Sequence, residues 1–226
     1  MSSFYPLLYL NGESIIMKKT IWDWYAPFYQ RAMIPDKKAY QWMYDHISHV
    51  VADKTVLEIA TGPGLLAKHI ASTAKTVTAT DYSASMIKEA QKGTHPENLI
   101  FEVADATHLP YADHVFDVVI IANALHIMKN PNKALQEIRR VLKNDGLLIA
   151  PNFVNHAKVG ALWASILKMV GIGFEHQWTK ETYLHYLESQ GWKIEFTESI
   201  TARLSLCYTE CTSKLLGKQP DEEKSQ

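Results

Sequence analysis

From residue 55 onward, short runs of β-favouring residues alternate with longer amphipathic stretches, and this alternation limits the fold more than any other feature. Some of the short runs are apolar without a break, as at residues 118–121, which is typical of strands covered on both faces. The pattern predicts a parallel sheet with helices on both sides. The predicted strands are residues 55–60, 76–81, 99–104, 115–122 and 146–152.

The intervening stretches have helical spacing. Between residues 131 and 143 the apolar side chains recur every three or four residues, Pro131 suits the first turn, and residues 144–146 have turn chemistry. Further helices are predicted at residues 83–92 and 179–190, and closing strands at 192–198 and 201–207.

Charge and cysteine content exclude several classes of protein. Lys and Arg total 23 against 24 Asp and Glu, a net charge of −1, so no nucleic-acid partner is expected. Cys207 and Cys211 are too few for a disulfide framework or a four-ligand zinc site.

The first residues lack the basic region of a signal peptide, and no apolar run reaches the roughly 20 residues of a membrane span. We therefore expect a cytoplasmic protein without stable membrane insertion, whose translation starts at Met1 or Met17.

The first predicted strand runs into a glycine-containing turn, Gly62-x-Gly64-x-x-Ala67, and then into a helix. Such a turn lets backbone approach a ligand closely. Asp81, 19 positions after Gly62, ends the second strand, where a carboxylate can accept hydrogen bonds from ribose hydroxyls. These features fit NAD and other adenosine cofactors equally well.

Three further features distinguish NAD from the other adenosine cofactors. Glu58 lies inside the first strand, where a carboxylate is costly unless it faces a polar ligand. Asp105 and Ala106 follow the third strand and can read an adenine edge. Asn123 and His126 follow the fourth strand, at the edge where open α/β sheets bind ligands.

With these motifs in order, the chain resembles the class I S-adenosylmethionine-dependent methyltransferases, nearest their ubiquinone-biosynthesis-type and small-molecule branch. The resemblance covers roughly residues 53–152. One departure is Ala60 in place of a frequent glycine, and another is Pro63 between Gly62 and Gly64. The segments that carry the resemblance are residues 57–64, 80–86, 104–106, 109–117 and 134–143.

The resemblance implies a doubly wound, mostly parallel sheet of seven strands whose last strand is antiparallel. The glycine loop is expected along the methionine portion of S-adenosylmethionine, Glu58 at its amino group and Asp81 at its ribose, with Tyr82 or Met86 over the adenine. The cofactor-binding residues that it implies are Glu58, Ala60, Thr61, Gly62, Gly64, Asp81, Tyr82, Met86, Asp105, Ala106 and Asn123.

One domain is predicted, because a chain of this length still holds one core and shows no internal repeat. Its parts are an N-terminal extension and aromatic helical cap (1–52), the cofactor-binding core (53–152), a lid insertion after the fifth strand (153–178), a C-terminal helix and strands (179–217), and a polar tail (218–226).

His126 is the one candidate general base, because histidine titrates near neutral pH and this one follows the fourth strand. A pocket-lining or structural role is the alternative. The sulfonium donor is already activated, so a base is optional, and no metal is expected because this strand end offers Asn123 and no carboxylate cluster.

The acceptor pocket is predicted from two apolar segments. Residues 159–167 contain no charge and suit a lid over the donor, facing the aromatic residues 20–30. A dimer interface, or contact with a membrane that holds a lipid-like acceptor, remains open for residues 159–167, and simple packing for the aromatic segment and for His176. The predicted substrate and lid residues are Trp24, Tyr25, Tyr29, Trp163 and His176.

Methyl transfer from S-adenosylmethionine to a small, apolar acceptor is thus the predicted function, carried out by a monomer or homodimer. Two alternatives stay open: a NAD-dependent oxidoreductase, and a cofactor-binding regulator without turnover. The first of these leaves Glu58 and Asp105 without a role.

Overall fold

The computed structural model describes residues 7–10, 13–16, 37–154, 175–201 and 205–214. Trp24, Tyr25, Tyr29, Trp163 and the 218–226 tail lie outside these residues. The described helices are α1 (Lys37–Val50), α2 (Leu65–Ile70), α3 (Ala84–Ala90), α4 (Pro131–Val141) and α5 (Lys180–Ser189). The described strands are β1 (Leu7–Leu10), β2 (Glu13–Ile16), β3 (Thr55–Ile59), β4 (Thr76–Asp81), β5 (Leu99–Val103), β6 (Phe116–Ile121), β7 (Leu142–Ile149), β8 (Asn152–Phe153), β9 (Trp192–Ile200) and β10 (Leu206–Ser213).

The central sheet has the order β5-β4-β3-β6-β7-β10-β8, with β9 also paired to β10. Strands β3 to β7 run parallel, and β10 is antiparallel to its partners. The predicted doubly wound, mostly parallel sheet is confirmed. Within the described residues the sheet has eight strands rather than seven, because the two-residue β8 pairs separately with β10 beyond Pro151, which has no N–H for a ladder.

Apolar cores on both faces of the sheet explain this double winding. One core contains Met43 and Ile47 of α1 together with Ile70 of α2 and Ile87 of α3. The core on the opposite face contains Leu135 and Ile138 of α4 and Tyr183 and Leu187 of α5. The predicted apolar stripe of α4 is buried as expected, because Ala134, Leu135, Ile138 and Val141 all face the sheet.

Several predicted boundaries are wrong by two residues or more. The strand predicted at residues 146–152 is β7 (Leu142–Ile149), because its pairing with β6 begins at Leu142 and the chain leaves that ladder before Pro151. Helix α4 ends at Val141, not at residue 143, because fully buried Leu142 already pairs with Phe116 of β6. The last strand is β10 (Leu206–Ser213) rather than residues 201–207, because the pairing of Glu210 and Cys211 with β7 selects the later register. The β-favouring residues from 201 to 213 supply no local signal for that choice.

The N-terminal extension contains one described element, a hairpin. Leu7–Leu10 pairs antiparallel with Glu13–Ile16, from Leu7 opposite Ile16 to Leu10 opposite Glu13. After it, the chain is described again from α1, whose buried Met43 and Ile47 pack on the sheet face that also carries α2 and α3.

Candidate functional site

The glycine loop after β3 is built from left-handed backbone. Ala60 has φ +57°, Gly62 φ +57° and Gly64 φ +74°. A left-handed conformation costs an L-residue roughly 1–2 kcal/mol relative to glycine. Ala60 therefore occupies a position that favours glycine for a conformational reason. The Thr61 N–H holds the loop to the sheet by donating to the Thr80 carbonyl at 2.9 Å.

The two glycines of the loop serve different purposes. A Cβ atom on Gly62 would meet nothing within 4 Å, so this position borders open space. A Cβ atom on Gly64 would lie 2.6 Å from Cε1 of Phe101 and 3.0 Å from Cβ of Ala90. Gly64, predicted as a cofactor-binding residue, is therefore also required for packing of the loop on α3 and β5.

Glu58 is a buried carboxyl group inside β3, with 3% of its surface exposed. Its Oε2 accepts a hydrogen bond from Thr61 Oγ1 at 2.8 Å. Burial raises the pKa of Glu58 to about 8, with the nearby Asp81 charge adding to the rise and the Thr61 hydroxyl opposing it. The carboxyl group is therefore mostly protonated at neutral pH. A cation that enters the cleft would stabilise its ionised form and so lower its pKa.

Asp81 links the ends of β3 and β4. Its Oδ2 accepts from the Gly62 N–H and its Oδ1 from the Ser83 N–H, both at 2.8 Å. A carboxylate has about four acceptor positions. Asp81 therefore shapes the glycine loop in addition to its predicted ribose contact.

The predicted adenine-binding residues differ in exposure. Tyr82 has 39% of its surface exposed, whereas the Met86 side chain is buried at 2%. Of these two side chains, that of Tyr82 is the one accessible to a ligand. Asp105 Oδ1 accepts from both the N–H and the hydroxyl of Thr107 at 2.8 Å, so it caps a turn, and half-buried Ala106 packs on the α4 side of the sheet.

A cleft at the carboxyl end of β3 brings five of the predicted residues together. Helix α1 forms its opposite wall through three residues that the sequence analysis did not predict, Tyr40, Met43 and Tyr44. The sequence signal available for these three residues is an apolar stripe on the helix before β3. That signal does not distinguish residues that line a cleft from residues that pack in the core. The cleft is lined by Tyr40, Met43, Tyr44, Glu58, Ala60, Thr61, Gly62, Pro63, Leu65, Leu66, Ala122 and Asn123.

Asn123 follows β6 in a left-handed conformation with φ +53°. Its backbone N–H donates to the Pro151 carbonyl at 2.8 Å, and its side-chain Nδ2 donates to the Tyr40 hydroxyl at 3.4 Å. The side-chain Oδ1 is buried and has no hydrogen-bond partner among the described residues.

His126 does not line the cleft. It lies in a short 3-10 turn (Leu125–Ile127) with 4% of its surface exposed, and its Nδ1 is 2.9 Å from Asn152 Oδ1. Asn152 Nδ2 donates to the Phe153 carbonyl, so Oδ1 faces the imidazole and Nδ1 of the neutral ring is the donor. Burial lowers the pKa of His126 to about 4, against the Asn152 hydrogen bond. The expectation that His126 titrates near neutral pH is therefore wrong.

His176 is close to His126 through the backbone, because its N–H donates to the His126 carbonyl at 3.0 Å. Its ring stacks on Trp178 at 5.1 Å between centroids, and Trp178 stacks on Tyr186 at 4.7 Å. This aromatic column supports the packing alternative for His176, although Nε2 is buried without a partner in the described residues.

The described side chains form no group of three or more His, Cys, Asp or Glu placed to hold a metal ion. None of the described helices is long and apolar enough to cross a membrane.

Comparison with known proteins identifies the core. Residues 57–150 match the profile of the methyltransferase domain family. Demethylmenaquinone methyltransferase of Renibacterium salmoninarum is 36% identical over 103 residues, which are 46% of this chain and 43% of that protein. The ubiquinone/menaquinone biosynthesis C-methyltransferase of Bdellovibrio bacteriovorus is 38% identical over 121 residues, 50% of each chain. The matched region thus spans about half the length of the curated relatives.

The fold has a close counterpart in the structure of the DhpI–SAH complex. That structure superposes with a TM-score of 0.68 at 19% identity and covers 85% of this chain and 93% of the other. The likeness at this identity shows the fold alone, and that fold is the doubly wound, mostly parallel sheet that the sequence predicts.

Proposed function

We propose that this chain, whose residues 57–150 match the profile of the methyltransferase domain family, transfers a methyl group from S-adenosylmethionine to a small, apolar acceptor. One observation carries the proposal within that domain. The left-handed loop after β3 is clamped by the Asp81 carboxylate and opens, at Gly62, on a cleft that contains the buried Glu58 carboxyl group.

The residues of the cleft fit the donor chemically. An amino group needs hydrogen-bond acceptors, and two line this cleft: the Glu58 carboxyl group and Asn123 Oδ1, which has no partner within the described part of the chain. The open space beside Gly62 admits a ligand close to the backbone. Tyr82 is exposed next to Asp81, as a residue that covers an adenine ring must be.

The donor, when bound, supplies a methyl group already activated by a positively charged sulfur. Catalysis by the chain then consists mainly of holding the two reactants in line and excluding water. Asp81 and the loop fix the position of the ribose and methionine portions, and α1 closes the cleft through Tyr40, Met43 and Tyr44. A neutral His126 accepts a proton only through Nε2, since Nδ1–H is donated to Asn152.

We propose a quinone-like ring as the acceptor class, with support from the names of the curated relatives, demethylmenaquinone methyltransferase and ubiquinone/menaquinone biosynthesis C-methyltransferase. The apolar segments 20–30 and 156–178 complete the acceptor pocket and lid in this proposal. A net charge of −1 gives no support to a nucleic-acid acceptor. We further propose a cytoplasmic monomer or homodimer organised as one domain.

Binding and transfer assays test the proposal. Calorimetry should detect S-adenosylhomocysteine and give no heat with NAD, and labelled methyl from S-adenosylmethionine should appear on a demethylated quinol. Asp81→Ala should weaken donor binding by roughly 1.5–3 kcal/mol, the value of charge-assisted hydrogen bonds. Asp145→Ala, at an exposed aspartate in β7, is the matched control and should bind as the wild type does. Binding of NAD in preference to S-adenosylhomocysteine would contradict the proposal.

A further inference from the structure

Asn123 combines two features that are costly in a folded protein. Its backbone is left-handed, with φ +53°, and its buried Oδ1 has no hydrogen-bond partner among the described residues. A buried acceptor without a partner costs roughly 1–3 kcal/mol, and backbone strain adds a similar amount. A bound ligand that donates a hydrogen bond to Oδ1 would offset these costs. Asn123 lines the cleft at the carboxyl end of β3, where such a ligand would bind.

The Tyr40 hydroxyl orients this amide. It accepts a hydrogen bond from Asn123 Nδ2 at 3.4 Å, across 83 positions in sequence. Tyr40 lies on α1, on the opposite wall of the same cleft, and α1 is anchored by buried Met43 and Ile47. One N–H of Nδ2 is directed at Tyr40 and the backbone N–H at Pro151, and Oδ1 is the side-chain acceptor of Asn123 that has no partner among the described residues.

Glu58 and Asn123 line the same cleft from two adjacent strands, β3 and β6. Ile59 of β3 is paired with Ile121 of β6, so Thr61 and Asn123 each stand two residues beyond that pair. The Thr61 hydroxyl donates to Glu58 Oε2 at 2.8 Å and so ties the carboxyl group to the loop after β3. Neighbouring strands are about 4.8 Å apart, a distance that one small polar group can bridge.

We propose that Tyr40 is a positioning residue that presents Asn123 Oδ1, together with the Glu58 carboxyl group, to the α-ammonium group of the donor. This inference rests on the proposed function and names the cation that the cleft selects. An ammonium group has three N–H donors and no acceptor, so it suits a site of acceptors alone. The site thus distinguishes adenosyl ligands that carry the amino acid from those that lack it.

Paired ligands test this assignment. Tyr40→Phe keeps the ring and removes the hydroxyl, and it should weaken binding of S-adenosylhomocysteine about 3- to 10-fold, the loss of one hydrogen bond. Binding of 5′-methylthioadenosine, which lacks the amino-acid portion, should change less than twofold. Tyr186→Phe is the matched control, since Tyr186 donates to Asn132 Oδ1 at 2.8 Å outside the cleft, and it should change neither affinity.

A double-mutant cycle tests whether Tyr40 acts through Asn123. Asn123→Gly removes the amide and suits the left-handed backbone, so the variant is expected to fold. In that background Tyr40→Phe should have no further effect on S-adenosylhomocysteine affinity. Equal weakening of both ligands by Tyr40→Phe, or an undiminished effect in the Asn123→Gly background, would overturn the inference. Wild-type protein that binds neither ligand would instead refute the proposed function.

Discussion

At the scale of single residues, the sequence correctly marked Glu58 as unusual, because a carboxyl group within an apolar strand is costly. The structure adds that burial raises its pKa to about 8, so the group is mostly protonated at neutral pH in the free protein. An ammonium group beside it favours the ionised form. Donor binding is therefore expected to release a proton from Glu58.

The expected result is a pH-dependent affinity. Between pH 6 and 7.5 the dissociation constant of S-adenosylhomocysteine should fall by up to about tenfold per pH unit, because Glu58 must lose its proton on binding. Calorimetry in buffers of different ionisation enthalpy should count nearly one proton released at pH 6.5. Glu58→Gln should remove both effects, and release of no proton by the wild type would contradict the prediction.

Gly62 and Gly64 provide a matched pair of substitutions. In Gly62→Ala the added methyl group has no neighbour within 4 Å, so the substitution should destabilise the fold only through the left-handed backbone conformation, by roughly 1–2 kcal/mol. Gly64→Ala also places a methyl group 2.6 Å from the Phe101 ring, and overpacking of this kind costs roughly 1–3 kcal/mol more. Urea unfolding should therefore show the larger loss for Gly64→Ala. Equal losses would show that the ring moves aside freely.

At the scale of elements, the junction between β6 and β8 is held by polar contacts that no local pattern predicts. His126 Nδ1 meets Asn152 Oδ1 at 2.9 Å, and the His126 ring contacts Phe153 edge to face at 5.5 Å. Asn123 binds the Pro151 carbonyl in the same junction. These contacts support a structural role for His126 and fix the backbone from which Asn123 projects.

Substitution of His126 separates the structural role from a catalytic one. His126→Ala leaves the buried Asn152 amide without its partner and removes a buried ring, so unfolding free energy should drop by about 2–4 kcal/mol. A double-mutant cycle with Asn152→Ala should give a coupling of about 1 kcal/mol or more. A loss of turnover of about 10²-fold or more with unchanged stability would instead assign His126 to general base catalysis.

At the scale of the whole molecule, two buried titratable groups oppose each other. Glu58 holds its proton to about pH 8 when folded but loses it near 4.5 when unfolded, so its contribution to stability declines as pH rises through that range. His126 has a folded pKa of about 4 against 6.5 when unfolded, so its contribution to stability increases between those values. The two slopes cancel between about pH 4.5 and 6.5.

Of these two contributions to stability, that of Glu58 is the one that still changes above pH 6.5. The unfolding free energy should therefore decline by about 2 kcal/mol between pH 6.5 and 8, at about 1.4 kcal/mol per pH unit. Thermal or urea unfolding across this range measures it, and Glu58→Gln should make the curve flat there. Stability that rises from pH 6.5 to 8 in the wild type would contradict the assignment.

The parallel core and the glycine loop could both be predicted from the amino-acid sequence. Strand β4 was predicted at its observed bounds, and Glu58, Gly62 and Asp81 follow from residue type and spacing. These features are local: unbroken apolar runs specify strands covered on both faces, and glycines specify left-handed turns. Local signals of this kind survive in the sequence without knowledge of the neighbours.

The set of residues that share the cleft could not be predicted, because it depends on how distant segments pack. Tyr40 and Asn123 are 83 positions apart, and their contact depends on how α1 packs on the sheet. The same holds for His126, whose pKa is set by burial against β8, and for β10, whose register is chosen by β7. Burial and pairing are properties of the assembled chain, because they depend on which distant segments remove water and satisfy hydrogen bonds.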